Sequence, residues 1–86
     1  MKASSSDKVL AEIRGFVVAT FRWGRGQDIG PGTPLLSSGI VDSAGVLQLV
    51  RFLQNRFHVR IADEEIVPGN FNSLAAMTAL VMGKQS

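Results

Sequence analysis

The spacing of apolar residues along the chain predicts helices, and the first of them runs from about Ser6 to Phe21. Its regular positions lie three or four residues apart, which is the interval of one helical face and not the alternation of a strand. That face consists of Val9, Ile13, Phe16, Val17 and Thr20. Ser6 or Asp7 is the expected N-cap, since both side chains accept hydrogen bonds from free amides of a first turn.

A run of glycine and proline follows and predicts a long loop from near Arg22 to about Val41. The helix-breaking residues are Gly24, Gly26, Gly30, Pro31, Gly32 and Pro34. Loops of this length are uncommon in compact domains unless they are functional or fixed to the core. The apolar residues available to fix this one are Ile29, Leu35, Leu36 and Ile40. We therefore predict a loop that is partly ordered.

The strongest periodic signal belongs to a second helix that opens at Asp42 or Ser43, two good capping residues. Its apolar stripe consists of Val46, Leu49, Val50, Leu53 and Phe57. If that stripe is buried, helical geometry leaves a different set of side chains on the outside. The expected outer set is Ala44, Leu47, Gln48, Arg51 and Asn55.

The remainder of the chain predicts shorter elements. Residues 58 to 61 form an extended connector, and Asp63, Glu64 and Glu65 open a short helix that Pro68 and Gly69 end. Asn70 or Asn72 then caps a last helix whose apolar side contains Leu74, Met77, Thr78 and Val81.

Together these elements predict an all-α fold with three principal helices and one short helix. At 86 residues the chain suits one domain, 1–86, with residues 1–5 and 84–86 frayed. A second core would leave both cores too small to offset the entropy of the chain.

Composition narrows the chemistry that the domain could perform. The chain has no cysteine, which excludes a disulfide framework, a cysteine zinc site and a side-chain thiol nucleophile. No metal site and no pair of titratable groups at useful spacing is apparent, so we expect a protein that is not an enzyme. The first residues lack the apolar core of a signal peptide, and the longest apolar stretch is too short to span a bilayer. We expect a cytoplasmic location.

The net charge of +2 is too close to balance for a typical nucleic-acid binder. The segment Arg22-Trp23-Gly24-Arg25 combines an aromatic ring with two cations, a pattern that can contact bases and phosphates. Without a wider basic patch, it is better interpreted as a loop whose indole covers the core while the arginines stay solvated.

Chemistry is most plausible at Ser43, where a loop ends and a helix begins. A hydroxyl in the first turn lies near free backbone amides and the positive end of the helix dipole, which favour a phosphate. Taken alone, Asp42 and Ser43 strongly favour a simple helix cap, which is what most Asp-Ser pairs before an apolar stripe form.

The surrounding pattern resembles the acyl carrier and peptidyl carrier protein family over nearly the whole chain. The matching residues are Leu35-Leu36, Gly39-Ile40-Val41-Asp42-Ser43, Val46, Leu49-Val50, Leu53, Phe57, Val59, Ile61, Asp63-Glu64-Glu65 and Phe71-Asn72-Ser73-Leu74. The resemblance implies an acyl-carrier-like bundle with a long first loop, which bears a covalent 4'-phosphopantetheine arm on Ser43. The arm would supply the thiol that the chain lacks, and acyl or aminoacyl groups would ride on it as thioesters.

The resemblance also implies partners. A phosphopantetheinyl transferase would attach the arm, an acyl- or aminoacyl-activating ligase would load it, and a downstream acyltransferase or synthase of lipid or secondary-metabolite biosynthesis would unload it. Asp42, Ala44, Leu47 and Arg51 are the expected partner contacts of a stand-alone, monomeric carrier that binds neither membrane nor nucleic acid. Two departures concern these contacts: Ala44 stands where the family usually has a large apolar residue, and residues 43–57 contain two arginines and no acid.

The alternative from another class is a small helical interaction or nucleic-acid-binding protein. In that case Asp42 and Ser43 form only a helix cap, and Ser43 carries no modification.

Overall fold

The computed structural model describes residues 5–21 and 29–85, which form four α-helices and one 3-10 turn. The elements are α1 (Ser5–Thr20), α2 (Ser43–Phe57), the 3-10 turn (Asp63–Glu65), α3 (Pro68–Phe71) and α4 (Leu74–Gln85). No β-strand occurs within these two ranges. The predicted all-α fold is confirmed. The segment 22–25 that could contact nucleic acid lies outside the described residues.

The core is built from the faces that the periodicity predicted. Its helical members are Val9, Ile13 and Val17 of α1, Leu49, Val50 and Leu53 of α2, and Leu74, Met77, Thr78 and Val81 of α4, to which α3 adds Phe71, a residue outside these stripes. Phe16, Val46 and Phe57 pack against this core but remain partly exposed. Thr20 is the exception, because it is exposed at the end of α1 and takes no part in the core.

The described part of the long loop is fixed to the core, as predicted. Ile29, Leu35 and Ile40 are buried, and Leu36 is half-buried. Asn72 holds the middle of the loop, because its carbonyl oxygen accepts from the Leu35 amide at 2.7 Å and its side-chain Oδ1 accepts from the Leu36 amide at 2.8 Å. Pairing these amides removes much of the cost of covering them.

The short helix in the second half of the chain ends earlier than predicted. Asp63, Glu64 and Glu65 open it as expected, but it is a 3-10 turn that ends at Glu65 and does not continue to Pro68. Pro68 instead begins α3, where proline is well tolerated because the first amide of a helix needs no partner within it.

The cap of α4 is Ser73, and neither Asn70 nor Asn72 as predicted. The Ser73 hydroxyl accepts a hydrogen bond from the Ala76 amide at 3.0 Å. The two asparagines serve other bonds, since Asn70 donates to the Glu65 carbonyl at 2.8 Å while Asn72 holds the long loop. At its other end α4 continues through residues 84 and 85, for which the sequence predicts fraying.

Candidate functional site

Ser43 is the first residue of α2, and its side chain is exposed. The preceding Asp42 has an extended backbone and acts as the N-cap, because its Oδ1 accepts from the Gly45 amide at 2.8 Å. The backbone amides in the first turn of α2 have no carbonyl partner within the helix. The end of the helix next to the Ser43 hydroxyl therefore carries partial positive charge. The cap bond is therefore made by Asp42, and the adjacent Ser43 hydroxyl is left outside it.

Gly45 allows the first turn of α2 to approach the core. A methyl group at this position would lie 2.6 Å from the Phe21 ring carbon Cε1 and 2.9 Å from Val41 Cγ1. Both distances are too short for carbon atoms, so only glycine permits this packing. The Phe21 ring thus lies under the turn that presents Ser43. The periodicity did not identify this contact, because glycine carries no apolar side chain to count.

An open groove of about 600 Å³ begins at Ser43 and runs between the start of α2 and the segment that contains the 3-10 turn and α3. Most of its lining is apolar and includes Leu36, Val46, Leu47, Ile66, Val67 and Phe71. Leu47 and Val67 are the large hydrophobic residues with the greatest exposure in the described part of the chain, at 60% and 43%. Both lie on this groove, which makes the surroundings of Ser43 apolar and accessible.

The sequence missed one wall of this groove. Ile66 and Val67 lie between the acidic turn and Pro68, outside any helical stripe, so no periodicity predicted their exposure. The only signal available was an apolar pair between polar residues and a proline, which is weak by itself.

The segment that contains Ile66 and Val67 is held to α4 by an ion pair. Lys84 Nζ donates to Glu65 Oε1 at 2.6 Å, and the same oxygen accepts from the Ala62 amide at 2.9 Å. The hydrogen bond from Lys84 lowers the pKa of the Glu65 carboxyl from its ordinary value, and the bond from the Ala62 amide lowers it further. The 3-10 turn is therefore fixed in a position that completes the groove.

The outer face of α2 is exposed as predicted. Its residues Ala44, Leu47, Gln48, Arg51 and Asn55 are all accessible, and so is Asp42 in front of it. The structure brings Asp42, Ser43 and Leu47 together at the groove. Arg51 lies two helical turns beyond Ser43 and lines a second groove, between α1 and α2.

Comparison with known proteins assigns this arrangement to a class. Residues 17–81 match the family described as "Phosphopantetheine attachment site". That range covers most of the described fold, including α2 and its preceding loop. The chain belongs to this family of phosphopantetheine-binding carrier proteins, whose members hold 4'-phosphopantetheine covalently on a serine. It is accordingly a carrier and not a catalyst.

Within that family the chain is similar to a stand-alone carrier. It is 38% identical over 65 residues to the "Probable acyl carrier protein PigG" of Serratia sp. (strain ATCC 39006), which covers 76% of this chain and 75% of that protein. It is also similar to a chain in a solved structure, "Crystal structure of FAD-dependent dehydrogenase", with 30% identity and a TM-score of 0.71. That match covers 80% of this chain and 97% of the other.

None of the helices in residues 5–21 and 29–85 has the length and apolar character needed to cross a bilayer.

Proposed function

We propose that this chain carries acyl or aminoacyl groups as thioesters on a 4'-phosphopantetheine arm joined to the Ser43 oxygen. The observation that supports Ser43 is its free and exposed hydroxyl at the start of α2, inside the region that matches the carrier family.

The other serines of that region support the choice, because each has a hydrogen-bonding task. Ser73 caps α4, and Ser38 Oγ donates to the Leu35 carbonyl at 3.4 Å. Ser37 Oγ accepts from Asn72 at 3.4 Å. Among the described residues, no side-chain hydrogen bond engages Ser43. Esterification of its oxygen therefore disrupts no contact that holds the fold.

The surroundings of Ser43 fit the arm that the family carries. The positive end of α2 favours the phosphate of a serine phosphodiester, and the groove beside it offers apolar surface to an arm or its cargo. The arm supplies a thiol, which the chain cannot, since it has no cysteine. The residues of this chain then hold and present the cargo, while partner enzymes perform the reactions.

The partners in this proposal are a phosphopantetheinyl transferase, an acyl- or aminoacyl-activating ligase and a downstream acyltransferase or synthase. We expect them to dock around Ser43 through Asp42, Ala44, Leu47 and Arg51. Leu47 supports this surface most directly, because its large apolar side chain is exposed one helical turn from Ser43.

A further partner class in this proposal is an FAD-dependent dehydrogenase, the kind of enzyme for which the similar solved structure is named. Such an enzyme would remove a proton and a hydride from adjacent carbons of the tethered cargo, which becomes unsaturated while FAD is reduced to FADH2.

The test mixes the acyl-loaded chain with a flavin dehydrogenase from the same organism. We expect loss of the oxidised flavin absorbance and of two hydrogen masses from the cargo; no flavin reduction by any loaded form would refute this partner.

Intact mass spectrometry tests the attachment site. After incubation with coenzyme A, Mg²⁺ and a broad-specificity phosphopantetheinyl transferase, the wild-type chain should gain the mass of one arm. Ser43→Ala should gain none, whereas the matched control Ser38→Ala should gain the full mass. Circular dichroism should show the same helix content in all three proteins.

The competing function predicts a different result. If Asp42 and Ser43 are only a cap, the wild-type chain stays unmodified and binds oligonucleotides with affinity that falls as salt rises. Modification of the Ser43→Ala variant would likewise overturn the assignment.

A further inference from the structure

A second open groove, of about 520 Å³, lies between α1 and α2. It is lined by Phe16, Gln48, Arg51, Phe52, Asn55 and Arg56. Phe16 and Phe52 stack with their ring centroids 4.2 Å apart, and both remain partly exposed. An aromatic surface is thus left open to solvent between polar side chains, which suits an apolar anchor from another molecule.

The groove also carries positive charge. Arg51 is exposed and forms no ion pair within the described residues, while Arg56 pairs with Glu12 and is still 57% exposed. Residues 43–57 contain no acid, so α2 itself offers no counter-charge to Arg51. Gln48 and Asn55 add amide groups that donate hydrogen bonds. A partner that covers this surface gains most when it brings carboxylates.

This groove is continuous with the face that presents Ser43. Ser43, Leu47 and Arg51 follow one another at intervals of four residues, so they lie along one side of α2. Arg51 is about 12 Å from Ser43 along the helix axis. A protein that engages the cargo at Ser43 and rests on this side of α2 therefore reaches the second groove as well.

We propose that the groove between α1 and α2 docks an acidic segment of a partner enzyme, which inserts an apolar side chain over Phe16 and Phe52 and places a carboxylate beside Arg51, while Arg56 stays paired with Glu12. The proposal rests on the carrier function and adds the chemistry of the partner's surface. The sign of the charge follows from α2 itself, in which every ionised side chain is a cation.

A nucleic acid suits the groove less well than an acidic protein segment. Only two cations border it, and one of them is already neutralised by Glu12. Binding a phosphate backbone needs a longer basic track. The stacked rings also cover one face of each other, which leaves less aromatic surface for bases.

The test titrates the isotope-labelled chain, bearing its arm, with two five-residue peptides by NMR. The first has a central phenylalanine flanked by two glutamates on each side, and the second has lysines in place of the glutamates. We expect the acidic peptide to shift the amide signals of Gln48, Arg51 and Asn55, and the basic peptide to leave them unchanged. Raising the ionic strength should weaken the interaction.

The variant Arg51→Glu should bind the acidic peptide roughly fivefold more weakly, the change expected for loss of one exposed charge pair. Arg60→Glu is the matched control, because it makes the same charge change on an exposed residue beyond α2 and should bind as the wild type does. Equal shifts with both peptides, equal weakening in both variants, or perturbation of these amides by a single-stranded oligonucleotide alone would overturn the proposal. Mass gain at Ser43 reports the carrier function separately.

Discussion

At the scale of single residues, the presentation of Ser43 depends on a glycine two positions away. Gly45 removes the side chain that would collide with Phe21, so the first turn of α2 can lie directly on that ring. The cost is low helix propensity near the start of the helix. Gly45 thus lets the first turn of α2 pack closely against the core of the protein itself.

Replacing Gly45 with alanine should destabilise the fold by about 1–3 kcal/mol, the usual range for overpacking a tight core. The matched control is Gly15→Ala in α1, where an added methyl group meets nothing within 4 Å. That change should stabilise the protein by about 0.5–1 kcal/mol through helix propensity alone. Urea denaturation of both variants measures the two free energies of unfolding, and a stabilising effect at both sites would contradict the proposed contact.

At the scale of elements, the segment between α2 and α4 has no helical stripe and is held by the buried Ile61 and Phe71 together with polar contacts. Its 3-10 turn is joined to α4 through the Glu65 and Lys84 pair, and Asn70 donates to the Glu65 carbonyl. Ile66 and Val67 are thereby placed on the groove beside Ser43. The Glu65 carboxylate thus helps to position this wall of the groove, together with the buried Phe71.

The pair should make stability depend on pH in the acidic range. Because the pKa of Glu65 is lowered in the folded state, its contribution is complete above the ordinary glutamate pKa and is lost as the pH falls through the folded value. Lys84→Met should therefore lower the free energy of unfolding at neutral pH and make little difference well below about pH 4. Lys8→Met, on the exposed side of α1, is the control and should show no such pH-dependent loss. Denaturation curves at several pH values check this; an identical profile for both variants would refute the role of the pair.

At the scale of the whole molecule, much of the architecture was predictable from periodicity. The buried faces of α1, α2 and α4 follow from apolar residues at helical intervals, because burying one side of a helix requires that spacing. The ends of elements were less predictable, since several polar residues near each end are competent caps. Ser73, and neither Asn70 nor Asn72, caps α4 because both asparagines hold distant backbone groups.

The order of polar and apolar residues alone therefore determined the helical class, the buried faces, the exposed side of α2 and the family resemblance that points to Ser43. Those properties depend on local spacing and on side-chain chemistry, both of which are written in the chain. Only the tertiary structure decided that Gly45 lies on Phe21, that Val67 faces the groove and that Phe16 stacks on Phe52. Each of these contacts joins residues from separate segments, and their distance in space follows from how the whole core packs.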